Sequence, residues 1–286
     1  NYEDRDEQEI ILKKINFGKI PIMVNSKYCV LREYPGINVI NEGECNYDMG
    51  ACFIISGNEK VIVCQERIAE NKVFVFNNQR QTKSIDAEIK SVVDYQFSVV
   101  MTNTVKYIFK TNIVVLESPN FKIPINILLI LRLLGIETDK DLIQTLFWDL
   151  ENERNQEIIN MIKPTLDNYK EICKTNNLND INSVKNYIIK FTNFKGLNKE
   201  IKISQEGKVD YLMRSLNVEL LPHLKTNYYK KALFIGHMIQ KLFRVYLGQI
   251  PYDDRDDYHN KRVDTPGILM ASLFRQCFNR LVKDIK

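Results

Sequence analysis

Between Gly18 and Glu117 the chain passes through a succession of short segments rich in β-branched and aromatic residues: KIPIMV, ACFIIS, KVIVCQ, KVFVF, EIKSVV, YQFSVVM, VKYIFK and NIVVL. After Pro119 the apolar residues fall at helical spacing instead. β-Branched and aromatic side chains suit a pleated, half-buried surface, so the first half reads as strands. Strands gathered in one half and helices in the other describe an α+β chain, a strand-rich part with a helical layer. Between CFIIS and KVIVCQ, Gly57, Asn58 and Glu59 supply turn residues that tolerate positive φ, which predicts a β-hairpin. Gly50 and Gly57 serve there for backbone freedom, with Glu59 and Lys60 as polar groups near the turn.

In the second half, PINILLILRLLGI reads as one buried helix; Asn126 and Arg132 interrupt its apolar run, which falls short of a bilayer span. TDKDLIQTLFWDL begins another, with a Thr or Asp cap, and Trp148, at helical spacing from Leu142 and Ile143, reads as core. In NYYKKALFIGHMIQKLFRVYL, Ala232, Ile235, Ile239, Leu242 and Tyr246 form an apolar stripe. Lys230, His237, Lys241 and Arg244 lie on its other face, within about a quarter-turn at ~100° per residue. In the last helix Thr265 is the expected N-cap and Pro266 the first helical residue. Met270, Phe274, Cys277, Phe278, Leu281 and Ile285 are its expected buried stripe. The strand aromatics Tyr95, Phe97, Tyr107 and Phe109 alternate as half-buried sheet residues do, rather than as a base-stacking surface.

Apolar content of 44% and charged content of 27% are ordinary for a globular chain, and 286 residues suffice for one large domain or two modest ones. The acidic opening NYEDRDEQE is no secretory leader, which places the protein in the cytosol or nucleus. Six scattered cysteines (Cys29, Cys45, Cys52, Cys64, Cys173, Cys277) form no CxxC pair and read as buried thiols. A net charge of +4 permits a polyanionic partner without requiring one. GxGxxG, Walker A, GxSxG and HExxH motifs are absent, and no repeat recurs at periods of twenty to fifty residues.

Three stretches together resemble one family, the second-largest, β-like subunit of multisubunit DNA-directed RNA polymerases. They are GKIPIMVNSKYCVL followed by CNYDMGACFIISGNEKVIVCQERIAENKVFVF (Gly18 to Phe76), LLPHLKTNYYKKALFIGHMIQKLFRVYLG (Leu220 to Gly248), and PYDDRDDYHNKRVDTPG (Pro251 to Gly267). In the last, Asp254-Arg255-Asp256 and Asn260-Lys261-Arg262 match the family's paired motif. The resemblance implies two regions lining one wall of a DNA cleft: part of a protrusion over residues 1–66 and 250–286, and a lobe over 67–249. It implies other polymerase subunits, above all the largest, template DNA and initiation factors as partners, and no membrane. Catalytic Mg²⁺ would be held elsewhere, chiefly by aspartates of the largest subunit, leaving this portion inactive alone. Asp257, His259 and the continuation VDTPG depart from common cellular versions and look more like those of large DNA viruses; abundant Ile, Asn and Lys suit an AT-rich genome. A viral protein would work in a cytoplasmic factory or virion, a cellular one in the nucleus.

The acidic and basic residues of DDRDDYHNKR admit three readings. Asp253, Asp254, Asp256, Asp257 and His259 offer hard ligands for a divalent cation, and a metal-dependent phosphodiesterase with His259 as acid or base would use them. No glycine occupies the middle of the cluster as in an EF-hand loop, and Arg255, Lys261 and Arg262 supply counter-charges, which favours an ion-paired joint with Asp254 and Asp256 as its carboxylates. Any phosphate contact would fall to Arg255, Lys261 and Arg262, joined by Lys241 and Arg244 of the preceding helix. A protein-interaction scaffold without DNA contact is the remaining alternative, and His223 and His237 read as ordinary hydrogen-bonding histidines.

Overall fold

The computed structural model describes residues 13–14, 16, 18–33, 40–41, 43–78, 83–93, 99–136, 138–146, 153–178, 180–194 and 204–285; Tyr95, Phe97 and Trp148 lie outside them. In chain order the elements are α1 (Val30–Glu33), β1 (Phe53–Ile55), β2 (Asn58–Lys60), β3 (Gln65–Ile68), β4 (Val73–Asn78), β5 (Ser84–Ser91), β6 (Met101–Ile108), β7 (Ile113–Glu117) and β8 (Ile125–Asn126). There follow α2 (Ile127–Leu133), α3 (Asp139–Leu146), α4 (Glu153–Asn176), α5 (Ile181–Ile189), α6 (Gln205–Val218), α7 (Tyr228–Tyr246), β9 (Lys261–Asp264) and α8 (Pro266–Ile285). The fold is mixed α+β. The chain divides into two compact units, Asn1–Gln65 with Val263–Lys286, and Glu66–Arg262. No helix among the described residues is long and apolar enough to cross a membrane.

In the unit built from both ends of the chain, β1 and β2 form the expected hairpin, but its turn sits one residue early. Ile55 faces Asn58, so Ser56 and Gly57 are the turn, with φ of 52° and 78°. Positive φ at both central positions matches the right-handed twist of the strands, and Asn58 is left to join the strand. KIPIMV does not form a strand; it contributes a single bridge, Met23 to Phe53. In α8 the apolar stripe forms but none of its residues is buried, and Phe274, Phe278 and Leu281 line an open trough of about 550 Å³ with Gly18 and Ile20. Periodicity specifies a face, whereas burial needs a surface to cover it, and the described residues of this unit leave that face open. Cys45, Cys64 and Cys277 are likewise exposed rather than buried.

The central unit is organised by a five-stranded antiparallel meander in the order β4-β5-β6-β7-β8. Its register places Val75, Ala87, Val105, Leu116 and Ile125 directly opposite one another, one row across all five strands. All five are buried. Side chains alternate along a strand, so the same residues that pair across the ladder also share the core face. The helical layer covers that face. The apolar run from Phe121 does not begin as helix: Ile125 and Asn126 first pair with β7, and Asn126 then caps α2 by accepting the Leu128 amide at 3.0 Å. Thr138 caps α3 by accepting from the Asp141 amide at 3.0 Å.

Two features of α7 fix how the helices pack. A Cβ at Gly236 would lie 2.6 Å from the Thr145 carbonyl oxygen, so the absence of a side chain lets α7 approach α3. Lys231, fully buried, inserts its ammonium at the C-terminal end of α6, where it donates to the carbonyls of Leu216 and Asn217 at 2.8 Å each. Those carbonyls are orphans of the helix end, and the macrodipole there favours a cation. Burial opposes the charge and pulls the ammonium down to about 8.

Candidate nucleic-acid interface

The chain from Pro251 to Arg262 is fastened to the free edge of β4. The Asp253 amide donates to the Val75 carbonyl at 3.2 Å, and Asp253 Oδ2 accepts the Val75 amide at 2.8 Å. Lys241 Nζ reaches the same Oδ2 and the Val73 carbonyl, each at 2.7 Å. An edge strand exposes unpaired backbone groups, and here one carboxylate and one ammonium satisfy those of Val73 and Val75. Asn260, buried, ties the far end: its Nδ2 donates to the Asp254 carbonyl at 2.8 Å, its Oδ1 accepts from Lys72 Nζ at 2.6 Å, and its carbonyl accepts the Ala69 amide at 2.8 Å. These bonds hold the stretch from Pro251 to Arg262 within the unit Glu66–Arg262.

Arg255 lies on the outer face of the sheet. Its guanidinium carbon sits 3.7 Å from the centroid of Phe76, which stacks on Phe74, and its Nη2 is 3.8 Å from Glu88 Oε2. The register explains the grouping, since Phe74 stands opposite Glu88 and Phe76 opposite Asp86. With Arg255 about half exposed, the cation–π contact contributes roughly 0.5–1 kcal/mol. Lys261 bonds to Glu66 Oε2 at 3.2 Å, the main cause holding its ammonium above the usual lysine range, with Asp256 a further contributor at 3.9 Å. Arg262 makes no ion pair among the described residues; its guanidinium donates to the carbonyls of Lys261 at 2.7 Å and His259 at 3.4 Å.

The carboxylates nearest these lysines and arginines are Asp253, Glu66 and Glu88, at 2.7, 3.2 and 3.8 Å, with Asp256 next at 3.9 Å from Lys261. Asp254, expected to pair with a cation, turns its Oδ1 to the Asp256 amide at 2.9 Å, while Asp256 is 93% exposed. Asp257 accepts the amide and ring nitrogen of His259, each at 3.0 Å, which hold its carboxyl below the usual range. The convergence that a metal-dependent phosphodiesterase would need is not formed: Asp253, Asp254, Asp256 and His259 engage separate partners, and no three metal-ligating side chains gather among the described residues. Glu66, Phe76 and Glu88 escape sequence reasoning because their roles depend on strand register; VFVF, with two phenylalanines on one face, is the only local signal.

On α7, the expected basic face separates by fate. Lys241 is held by Asp253 and Val73, whereas Arg244 is exposed and unpaired among the described residues. The ring of His237 is held below the usual range by burial and by the charges of Lys241 and Arg244. His223 bonds through Nδ1 to the Ser91 hydroxyl at 2.6 Å, a structural contact to β5.

A family model described as RNA polymerase beta subunit matches residues 1–286. The chain is 34% identical over 275 residues to DNA-directed RNA polymerase II subunit RPB2 of Encephalitozoon cuniculi, an alignment covering 95% of this chain and 23% of that protein. It is 29% identical to DNA-directed RNA polymerase II subunit 2 of Arabidopsis thaliana (96% and 23% covered) and 31% identical to DNA-directed RNA polymerase subunit 2 of Acanthamoeba polyphaga mimivirus (95% and 23%). The chain thus spans just under a quarter of the length of the curated relatives it matches.

Proposed function

Because the chain belongs to the RNA polymerase beta subunit family, we propose that it forms one wall of the DNA cleft of a DNA-directed RNA polymerase. Its contribution to nucleotidyl transfer is then positional: the chain alone is inactive, and the catalytic Mg²⁺ is held by the largest subunit. Residues 67–249, most of the unit Glu66–Arg262, serve as the lobe, and residues 1–66 with 250–286 as part of the protrusion. The observation that carries a DNA-facing role is the sorting of the candidate cations. Lys241, Arg255 and Lys261 are paired with Asp253, Glu88 and Glu66, which fixes the loop, while Arg262 and Arg244 keep guanidinium groups that no carboxylate compensates among the described residues. Arginine's planar fork suits phosphate oxygens.

Partner subunits and initiation factors are the fitting occupants of the open apolar face of α8. The viral reading rests on Asp257, His259 and the VDTPG continuation, and a mimivirus subunit stands among the relatives beside cellular ones of similar identity. It carries with it a viral factory or virion as the place of action; a cellular source carries the nucleus.

Titration of a labelled 20-base-pair duplex with the 286-residue chain, followed by fluorescence anisotropy, tests the cleft role. Binding that weakens steeply with salt and falls several-fold on Arg262→Glu is the expected result, since each lost phosphate contact flattens the salt slope by about one. Absence of binding at about 20 mM salt would leave the scaffold reading.

A further inference from the structure

A second basic feature adjoins the Asp253 clamp, a cleft of about 460 Å³ lined by Lys72, His237, Lys241 and Arg244 together with Val73, Phe234 and Ile250. We propose that this cleft is an anion site that takes one phosphate group. Four basic residues are among those that line it, and no acidic residue is. His237, Lys241 and Arg244 follow at four and three residues on α7, so they rise along one side of the helix. Lys72 comes from the segment before β4 and closes the cleft from the sheet.

The fixed and free charges divide the work. Lys241 is held by Asp253 and the Val73 carbonyl, and Lys72 gives one proton to Asn260, which places both ammonium groups without exhausting their three donors each. Arg244 keeps its whole fork available among the described residues. The neutral amides nearby are committed elsewhere: Asn71 bonds to the backbone of Val92 and Gln240 donates to the Leu146 carbonyl. Burial first, and then the charges of Lys241 and Arg244, hold the His237 ring below its usual range, and an anion beside the ring offsets the second of these causes. Arg244 supplies a bidentate contact, Lys72 a point charge, and the ring of His237 a donor once the anion is in place.

The inference goes beyond the cleft-wall reading, because the phosphate can belong to a nucleic-acid backbone or to a free polyphosphate. Two ligands separate the sources: the labelled duplex, and inorganic pyrophosphate followed by calorimetry at low ionic strength. The variants are Lys72→Gln with Arg244→Gln, and Lys261→Gln with Arg262→Gln as the comparison, each checked for retained circular dichroism. The expected result is a loss of at least tenfold in affinity for one or both ligands in the first double variant. Loss for the duplex alone assigns a backbone phosphate, and loss for pyrophosphate alone a free polyphosphate. Duplex binding abolished by the second pair but untouched by the first would overturn the site while leaving the cleft wall standing. Failure of the unaltered chain to bind either ligand would overturn both.

Discussion

Replacing Asp253 tests whether the joint between the loop and the sheet edge is held by a coupled pair. Its Oδ2 accepts one backbone amide and one ammonium, and the Asp253 and Lys241 side chains are only 19% and 20% exposed. Asp253→Ala leaves the Val75 amide without its acceptor and Lys241 with a single carbonyl. Breaking a buried pair from one side costs about 3–5 kcal/mol, and the remaining exposure discounts that to about 2–4 kcal/mol here. For a unit of this size, about 2–4 °C per kcal/mol converts 3 kcal/mol to a fall of roughly 6–12 °C in Tm. Asp253→Asn, which keeps an acceptor for Val75 but loses the charge, should lose about half as much. The double variant Asp253→Ala with Lys241→Met should lose less than the two single changes added together, by about 1 kcal/mol or more, because neither partner is then left alone. Urea unfolding of the 286-residue chain, followed by circular dichroism, measures all four proteins. Additivity within about 0.5 kcal/mol would show that carboxylate and ammonium act independently and would refute the clamp.

Two further outcomes follow from α7. The Lys231 ammonium falls to about 8 in the folded chain, against a usual lysine value near 10.4, so between those values the unfolded chain holds a proton that the folded chain has released. Stability therefore rises with pH across that window, by up to about 3 kcal/mol, and urea midpoints from pH 7 to 10.5 should show a rise in the parent chain that Lys231→Met lacks. Gly236→Ala would add about 1 kcal/mol of helix propensity, but a Cβ 2.6 Å from the Thr145 carbonyl forces α3 and α7 apart; a net loss of about 1–3 kcal/mol is expected in urea unfolding, and a net gain would mean that α3 yields freely.

Much was legible in the residues alone. The β-branched and aromatic runs KVFVF, VKYIFK and NIVVL, the cap residue Thr138 and the stripe Ala232, Ile235, Ile239 and Leu242 are local patterns, set by residue type and by the 3.6-residue period of the helix, whereas the cap at Asn126 emerges only where β8 ends. The α+β class and the family resemblance follow from such patterns and their order. Tertiary structure decided the partnerships. Asp253 reads as one acid among five, and only the adjacency of α7 to the edge of β4 makes it the partner of Lys241 rather than Asp254 or Asp256. Arg255 meets Phe76 and Glu88 because strand register sets them on one face. The stripe of α8 was predicted as a stripe and found uncovered, since a helix encodes which side is apolar but not what packs on it. Local propensity acts over a few residues; charge pairing and burial depend on groups brought together from far apart in the chain, which is why the joint's chemistry had to wait for the fold.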